Sequence, residues 1–477
     1  MHAVISNPPS SKNYGVTSQS SAFTKPTARQ ASDQTNPEPG IHNQEQSTRH
    51  QAPNTTKETI MNTRTFTRIF TSLFAFAMLL AMSVVQGAIW DGDTSANWSD
   101  AGNWDVPPVN GNSLTFPADA LNKTNANDAG ITSINLLTLG DAGWNIDLGG
   151  TVSMTAINAT GSSQLTGNVT FANGSPRTVT LSGSNTTLEI TGALTLSRAN
   201  NSLNLQVNGT GNTLLVGSLY MGDGSGNKTI SGTANVTVTG AVTEGMTNTT
   251  AFVKADTGTL TLNGTYTSNS LTTVNGGTMV INGDASGATG AFTVSNSGTT
   301  LGGTGSIGGI LTSVTMNAGT ALAPGNSAGS LEVGGTLTFA DNTNDLIIEI
   351  GGTDFTLNGT EDYDRVKVTG LTTLNGATLD WSFIDGFTPS GGDMFGIVDA
   401  VGGLGGTFAG LAEGAELWNQ DNTSLYITYA GLVDDSSVAL TGGNDIVLYA
   451  VTIPEPSTMI LAGLGLMGVC FRRRRSA

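Results

Sequence analysis

The chain has one cysteine, Cys470, so it contains no disulfide framework. That cysteine lies in a terminal apolar run, where it serves as a packing or lipid-facing residue. The three histidines, His2, His42 and His50, all precede residue 61. Between residues 89 and 453 there is neither histidine nor cysteine. This stretch therefore holds no Ser-His-Asp or Cys-His nucleophile system and no zinc or iron site with imidazole or thiolate ligands. A phosphate-cradling Gly-x4-Gly-Lys-Ser/Thr loop is missing too. Glycine strings such as Gly302-Gly303-Thr304-Gly305 have no helix after them, which makes them corners and not dinucleotide loops.

Charge is scarce at 11% and aromatics at 6%. Basic residues are rarest where the chain is longest. From Ile89 to Ile453, 31 Asp and Glu stand against 7 Lys and Arg, a net charge of −24. Such a body repels phosphate backbones, which excludes nucleic acid as a partner. The acidity serves solubility; its sharper reading is loose divalent-cation binding, with calcium the ion.

What the chain does have is 64 glycines and abundant Thr, Asn and Ser over 477 residues, enough for several domains or one long repeat structure. Short runs alternate apolar residues with Thr or Asn and close on Gly. Thr178-Val179-Thr180-Leu181-Ser182-Gly183, Thr187-Leu188-Glu189-Ile190-Thr191-Gly192, Asn235-Val236-Thr237-Val238-Thr239-Gly240 and Thr259-Leu260-Thr261-Leu262-Asn263-Gly264 are four such phrases. Period-two alternation predicts strands with one buried face, and the closing Gly predicts a corner with positive φ. Repetition of the unit predicts an all-β, right-handed parallel β-helix (solenoid) over 136–339. Antiparallel β-sandwich modules share the same period and stay open as the alternative.

Trp90, Trp98 and Trp104 open the body within 15 residues. Over 89–135 they read as an aromatic cap for the open end of the solenoid, with a sugar-binding platform as the alternative. After Leu346 strands lengthen and aromatics return, which predicts a compact C-terminal β domain over 340–450, also a cap.

The two ends read as address labels. Residues 1–60 have no apolar run and predict no folded structure. From Met61 the order is basic (Arg64, Arg68), apolar (Ile69–Val85) and small (Gly87, Ala88), which reads as a secretory signal peptide over 61–88 with its cleavage region at Gly87 and Ala88. A signal anchor is the other reading of that run. A signal peptide normally opens a protein, so Met61 is the expected start.

At the other end, Pro454-Glu455-Pro456 is held extended by its prolines. The apolar run Met459–Phe471 follows, then the stop-transfer cluster Arg472, Arg473, Arg474 and Arg475. The run is short for a full span. The tail over 451–477 resembles the PEP-CTERM sorting signal of Gram-negative bacteria. That resemblance implies recognition of Pro454, Glu455 and Pro456 by exosortase, a membrane transpeptidase, and presentation of the motif by a single short transmembrane helix. It also implies export through the Sec translocon, an inner-membrane precursor, and release or anchoring at the cell surface or in the matrix. An uncleaved tail anchor is the alternative.

A second resemblance lies in the body. Gly258–Gly283, Thr299–Gly309 and Gly319–Gly329 look like autotransporter-associated β-strand repeats, which implies parallel β-helix rungs. A self-translocating autotransporter would end in a membrane barrel, and this chain ends in arginines.

Catalysis has only carboxylates left to use. Asp362 and Asp364, Asp341 and Asp345, and Asp434 and Asp435 are near neighbours in sequence, but the matched repeats carry no Lys or Arg to complete a lyase site. No catalytic residue and no resident cofactor are expected. Asp91-Gly92-Asp93 with Asn97 has the opening spacing of a calcium loop, yet Gly102 stands where its bidentate Glu belongs; an Asx turn explains the same residues. The reading is an exported adhesive or scaffolding surface protein whose partners are exopolysaccharide or other surface polymers, with a carbohydrate-active β-helix enzyme as the rival.

Overall fold

The computed structural model describes residues 87–453 apart from 173, 198–200, 223, 246–249 and 356–360, together with Leu464 and Met467. The expectations for the leader, for the apolar run to Val85, for Pro454-Glu455-Pro456 and for the four arginines lie outside the described residues. Leu464 and Met467, within the apolar tail segment, are both helical. Among the described residues no helix is long and apolar enough to cross a membrane.

The body is a parallel β-solenoid of about eleven turns. Each turn places a strand on each of three faces. One turn runs Thr259–Leu262, Tyr266–Thr267 and Leu271–Val274. The next runs Thr278–Ile281, Asp284–Ala285 and Phe292–Val294. On the first face Leu260 pairs with Met279, and on the third Thr272 pairs with Phe292, both in parallel register. Parallel pairing of sequential rungs rules out the antiparallel sandwich for this stretch.

Alternation does what period two requires. Leu188, Leu214, Val236, Leu260, Met279, Leu301, Leu322, Leu346 and Leu379 stand in register through consecutive rungs. All nine are buried, so they form one continuous apolar file. The intervening Thr residues face outward. Stacking like on like spreads the hydrophobic gain evenly, at about 25 cal/mol per Å² of apolar surface removed from water.

The closing glycines serve a different purpose from the one expected. Of the four phrases, only Gly183 adopts a positive φ, at 93°. Gly192, Gly240 and Gly264 do not; instead each presses on the backbone of the rung before it. A Cβ on Gly192 would fall within 3.0 Å of the Gly167 carbonyl, on Gly240 within 3.0 Å of Gly217 and on Gly264 within 3.0 Å of Gly240. Gly283 and Gly305 continue the file against Gly264 and Gly283. One corner of the solenoid is thus a column of stacked glycines whose requirement is close approach. Gly302 and Gly303, expected as corner residues, end the strand Thr300–Gly303 and press on the backbone of neighbouring rungs, and Gly303 also takes the positive φ of a corner, at 118°.

Other corners are built on buried asparagine. Asn344 is fully buried. Its Nδ2 donates to the Asn317 carbonyl at 2.6 Å and the Thr320 carbonyl at 3.2 Å, and its Oδ1 accepts from the amides of Ala340 and Asp341. Asn212 clamps Leu181, Gly183 and Thr186 likewise. Replacing Asn344 by alanine is expected to cost about 2 kcal/mol, because buried backbone groups lose their partners. Urea unfolding of the variant against the parent measures this, and an unchanged midpoint would refute the clamp.

The N-terminal segment already belongs to the ladders. Ala88–Ile89 pairs in parallel with Leu114–Phe116, which pairs with Ser133–Leu139. Trp90, Trp98 and Trp104 pack edge-on with centroids 5.0 to 5.7 Å apart, and Phe116 and Trp144 complete the cluster. The three indoles are at most 4% exposed. Each ring nitrogen donates inward, to Asn122 O, Asn125 Oδ1 and Trp98 O respectively. No ring face is presented to solvent for a sugar.

The change of texture after Leu346 does not coincide with a change of pairing. Asp345–Ile350 continues the first face, and Thr378–Phe383 pairs in parallel beyond it. Apart from isolated bridges such as Ile350 with Tyr363, antiparallel pairing between described strands begins at Met394–Ala400, whose far edge takes Asp445–Thr452. Thr423–Val433 and then Glu416–Gln420 complete this C-terminal mixed sheet. A boundary expected at 340 therefore lies, in terms of pairing, more than fifty residues later.

Candidate functional site

The carboxylate pairs adjacent in sequence do not act as pairs. Asp362 accepts from the Asp354 amide, whereas Asp364 bridges the amides of Gly329 and Glu349. Asp341 binds the Thr343 amide and hydroxyl. Asp345, four residues on, has a carboxyl pushed up by burial and by the charge of Asp380 on the neighbouring strand. Asp434 holds a tight loop, accepting from the amides and hydroxyls of Ser436 and Ser437, and these bonds bring its carboxyl down to about 2. Asp435 turns the other way, onto Lys367 at 3.0 Å.

At the N-terminal loop, Asp91 Oδ1 accepts from the Asp93 amide at 3.3 Å, the Asx turn that these residues predict. Asn103, not Asn97, organises the loop: its Oδ1 accepts from the amides of Thr94 and Ser95, and its Nδ2 donates to Ser95 Oγ and the Asn97 carbonyl. Among the described residues no three carboxylates converge as metal ligands would.

The most unusual polar constellation lies on the second face, where that face enters the mixed sheet. In the strand Arg365–Val368, Val366 and Val368 point into the core, so Arg365 and Lys367 point out. Register places Ser330 beside Arg365, and sets Asp284, Ser306, Glu332, Lys367 and Asp399 in one outward file across successive strands. Burial pushes Asp399 up to about 6, and the charge of Asp445 adds to it.

Arg365 is only 1% exposed. The 434–437 loop reaches over it from the C-terminal strands. Its Nη1 donates to the Asp434 carbonyl at a long 3.5 Å, and its Nη2 lies 3.8 Å from Asp435 Oδ1. Nε and Nη2 make no hydrogen bond, and neither does the buried Oγ of Ser330. Arg365 and Ser330 line a cleft of about 440 Å³ with Thr304, Glu332, Glu361 and Lys367, and the unpaired atoms lie just beneath its surface. Glu332 also lines the next cleft, of about 490 Å³, with Asp284, Ser286 and Ser306, so the two form one run along the face.

Nothing in the sequence marked this site except rarity: two of the seven basic residues between 89 and 453 stand at alternate positions of one strand.

The sorting motif itself lies outside the described residues, but its attachment does not. Thr452 ends the last strand, and the Ile453 amide donates to Asn422 O at 2.7 Å. Pro454 follows directly. At the other end, Ala88 is buried, with its amide on the Ser113 carbonyl at 2.9 Å, and Gly87 stands just before the first strand.

No curated protein matches the chain. Residues 452–475 match the PEP-CTERM protein-sorting motif, which implies an exported protein that is sorted to the cell surface by an exosortase.

Proposed function

We propose that this chain is a structural or adhesive protein of the bacterial surface or extracellular matrix, exported through the Sec translocon and handed to an exosortase as an inner-membrane precursor. The observation that carries this reading is the direct junction between the β-solenoid body with its mixed sheet and the matched sorting tail, which begins at the last strand. The phrases that resemble autotransporter-associated repeats fall within regular solenoid turns, and such turns offer long ladders of hydroxyl and amide side chains suited to polymer contact. Catalysis is not part of this reading: of the carboxylates adjacent in sequence, Asp341, Asp362, Asp364 and Asp434 accept from backbone amides and Asp435 from Lys367.

Glu455→Ala is the test of the sorting step. The two prolines of Pro454-Glu455-Pro456 lower the ordering cost of binding in a transpeptidase cleft, and Glu455 supplies the motif's one charge. In a host carrying the matching exosortase, the variant is expected to lose its signal peptide yet remain as a membrane-bound precursor in immunoblots of membrane and medium. Release at the parental rate would refute the assignment. For the role of the body, the full chain is screened against a polysaccharide panel; depolymerisation abolished by a single Asp→Asn change would establish the rival, a carbohydrate-active β-helix enzyme.

A further inference from the structure

We infer that the cleft over Arg365 binds a carboxylated sugar of an acidic polysaccharide. The inference rests on the surface-polymer reading above and names the class of polymer.

Arg365 is out of balance with its surroundings. A guanidinium withdrawn from water normally has its donors satisfied, since leaving them unpaired costs more than the pairing returns. Arg365 is 1% exposed, and two of its three nitrogens make no hydrogen bond. The free pair is specific. Nε and Nη2 lie on one edge of the plane, and that edge presents two parallel N–H donors spaced for the two oxygens of a carboxylate. Asp435 does not fill the place: it stands 3.8 Å from Nη2 and is held at 3.0 Å by Lys367. Ser330, beside Arg365 in register, contributes a third unpaired donor in its buried hydroxyl. Three unpaired buried polar atoms around one cleft make a site preorganised for an acceptor that comes from outside.

The surroundings favour a sugar over a peptide. Along the two joined clefts the outward side chains are hydroxyls and carboxylates, among them Thr304, Ser306, Glu332 and Asp284, which donate to and accept from sugar hydroxyls. The strands under the clefts are paired on both edges, so a peptide cannot add as a further strand. A run across successive rungs, about 4.8 Å apart, suits an extended chain. The body's net charge of −24 opposes acidic ligands at long range. Recognition therefore depends on the local fork, and affinity should rise as salt screens the repulsion.

The experiment uses the full chain in mild detergent with three probes: a glucuronate tetrasaccharide, the matching glucose tetrasaccharide and a tetraglutamate peptide. Titration calorimetry is expected to show binding of the glucuronate chain alone. Arg365→Lys keeps the charge but loses the fork, and should weaken binding at least tenfold. Ser330→Ala, with little risk to the fold, should weaken it about threefold. Arg365→Met should abolish binding while leaving the thermal midpoint equal to or above the parent's, an outcome that a purely structural arginine would not give. Absence of glucuronate binding, or equal affinity in Arg365→Lys, overturns the inference. Equal binding of the glucose chain overturns the carboxylate, and preference for tetraglutamate overturns the sugar. Retention of parent and Arg365→Met on native exopolysaccharide separates the two levels. If both are held equally, the site assignment fails and the surface-polymer reading stands; if neither is held, both fail.

Discussion

Alanine at Gly283 should be among the most damaging single-methyl additions in this protein, costing about 3 to 4 kcal/mol, at or beyond the upper end for overpacked interiors. The added Cβ would fall within 3.0 Å of the Gly264 carbonyl, which is main chain and has no rotamer to escape into. Two rungs would have to separate at a corner where Gly264 and Gly305 are stacked above and below. Gly298 is the matched control. Its φ is +81°, but a methyl group there would meet nothing within 4 Å, so Gly298→Ala faces backbone strain alone, about 1 kcal/mol. Urea unfolding of the two variants should order them Gly283 well below Gly298. The reverse order would mean that corner conformation, not rung contact, is what the glycines supply.

That contrast marks how far the sequence could be read. Alternation in Thr259–Leu262 and its sister phrases announced which residues face the core, and Leu260 and Leu262 are buried as the period requires. The recurrence of glycine was equally visible, but its cause was not, because positive φ and close approach leave the same letter at the same spacing. Parallel solenoid and antiparallel sandwich also share a period of two. Only the pairing of residues some twenty positions apart, such as Leu260 with Met279, separates them. The texture change after Leu346 was real in composition, with Trp381, Phe383 and Phe387 packed together, yet it changed the filling of the rungs and not their pairing.

The Arg365 cleft was not read from the sequence, which shows only that two of the seven basic residues between 89 and 453 stand two positions apart. Burial of Arg365, however, comes from a loop 69 residues further on, and no local pattern forecasts that contact. The sorting tail was the reverse case. It is read from a contiguous run of residues, with no long-range contact involved, and the family match over 452–475 falls on those same residues.

Asp364 should make this protein lose stability as pH rises from about 4 to 8. Its carboxyl is 1% exposed, and burial pushes it up to about 8, with the charge of Glu349 adding to the rise. The amides of Gly329, at 3.0 Å, and Glu349, at 2.9 Å, oppose the shift without cancelling it. In the unfolded chain the same group titrates near its ordinary value of 3.8. Between those limits the folded state holds a proton that the unfolded state has released, so raising the pH favours unfolding, and the stability present below pH 4 is progressively withdrawn up to pH 8. Asp399, raised to about 6, acts in the same direction over the lower half of that window. Lys254, lowered to about 8 by burial, acts only above it, where rising pH favours the folded state. Asn at position 364 imitates the protonated acid at every pH. The stability difference between Asp364→Asn and the parent should therefore move in the variant's favour by about 4 kcal/mol from pH 4 to pH 7.5, whatever its starting offset. Urea titrations of both proteins at half-unit steps measure that difference. A residual slope below pH 6 in the variant belongs to Asp399 together with Asp345, and should shrink in Asp364→Asn/Asp399→Asn. Parallel curves for parent and Asp364→Asn would show that the two backbone amides hold Asp364 ionised throughout, and the bridge between the Gly329 and Glu349 strands would then be a charged one.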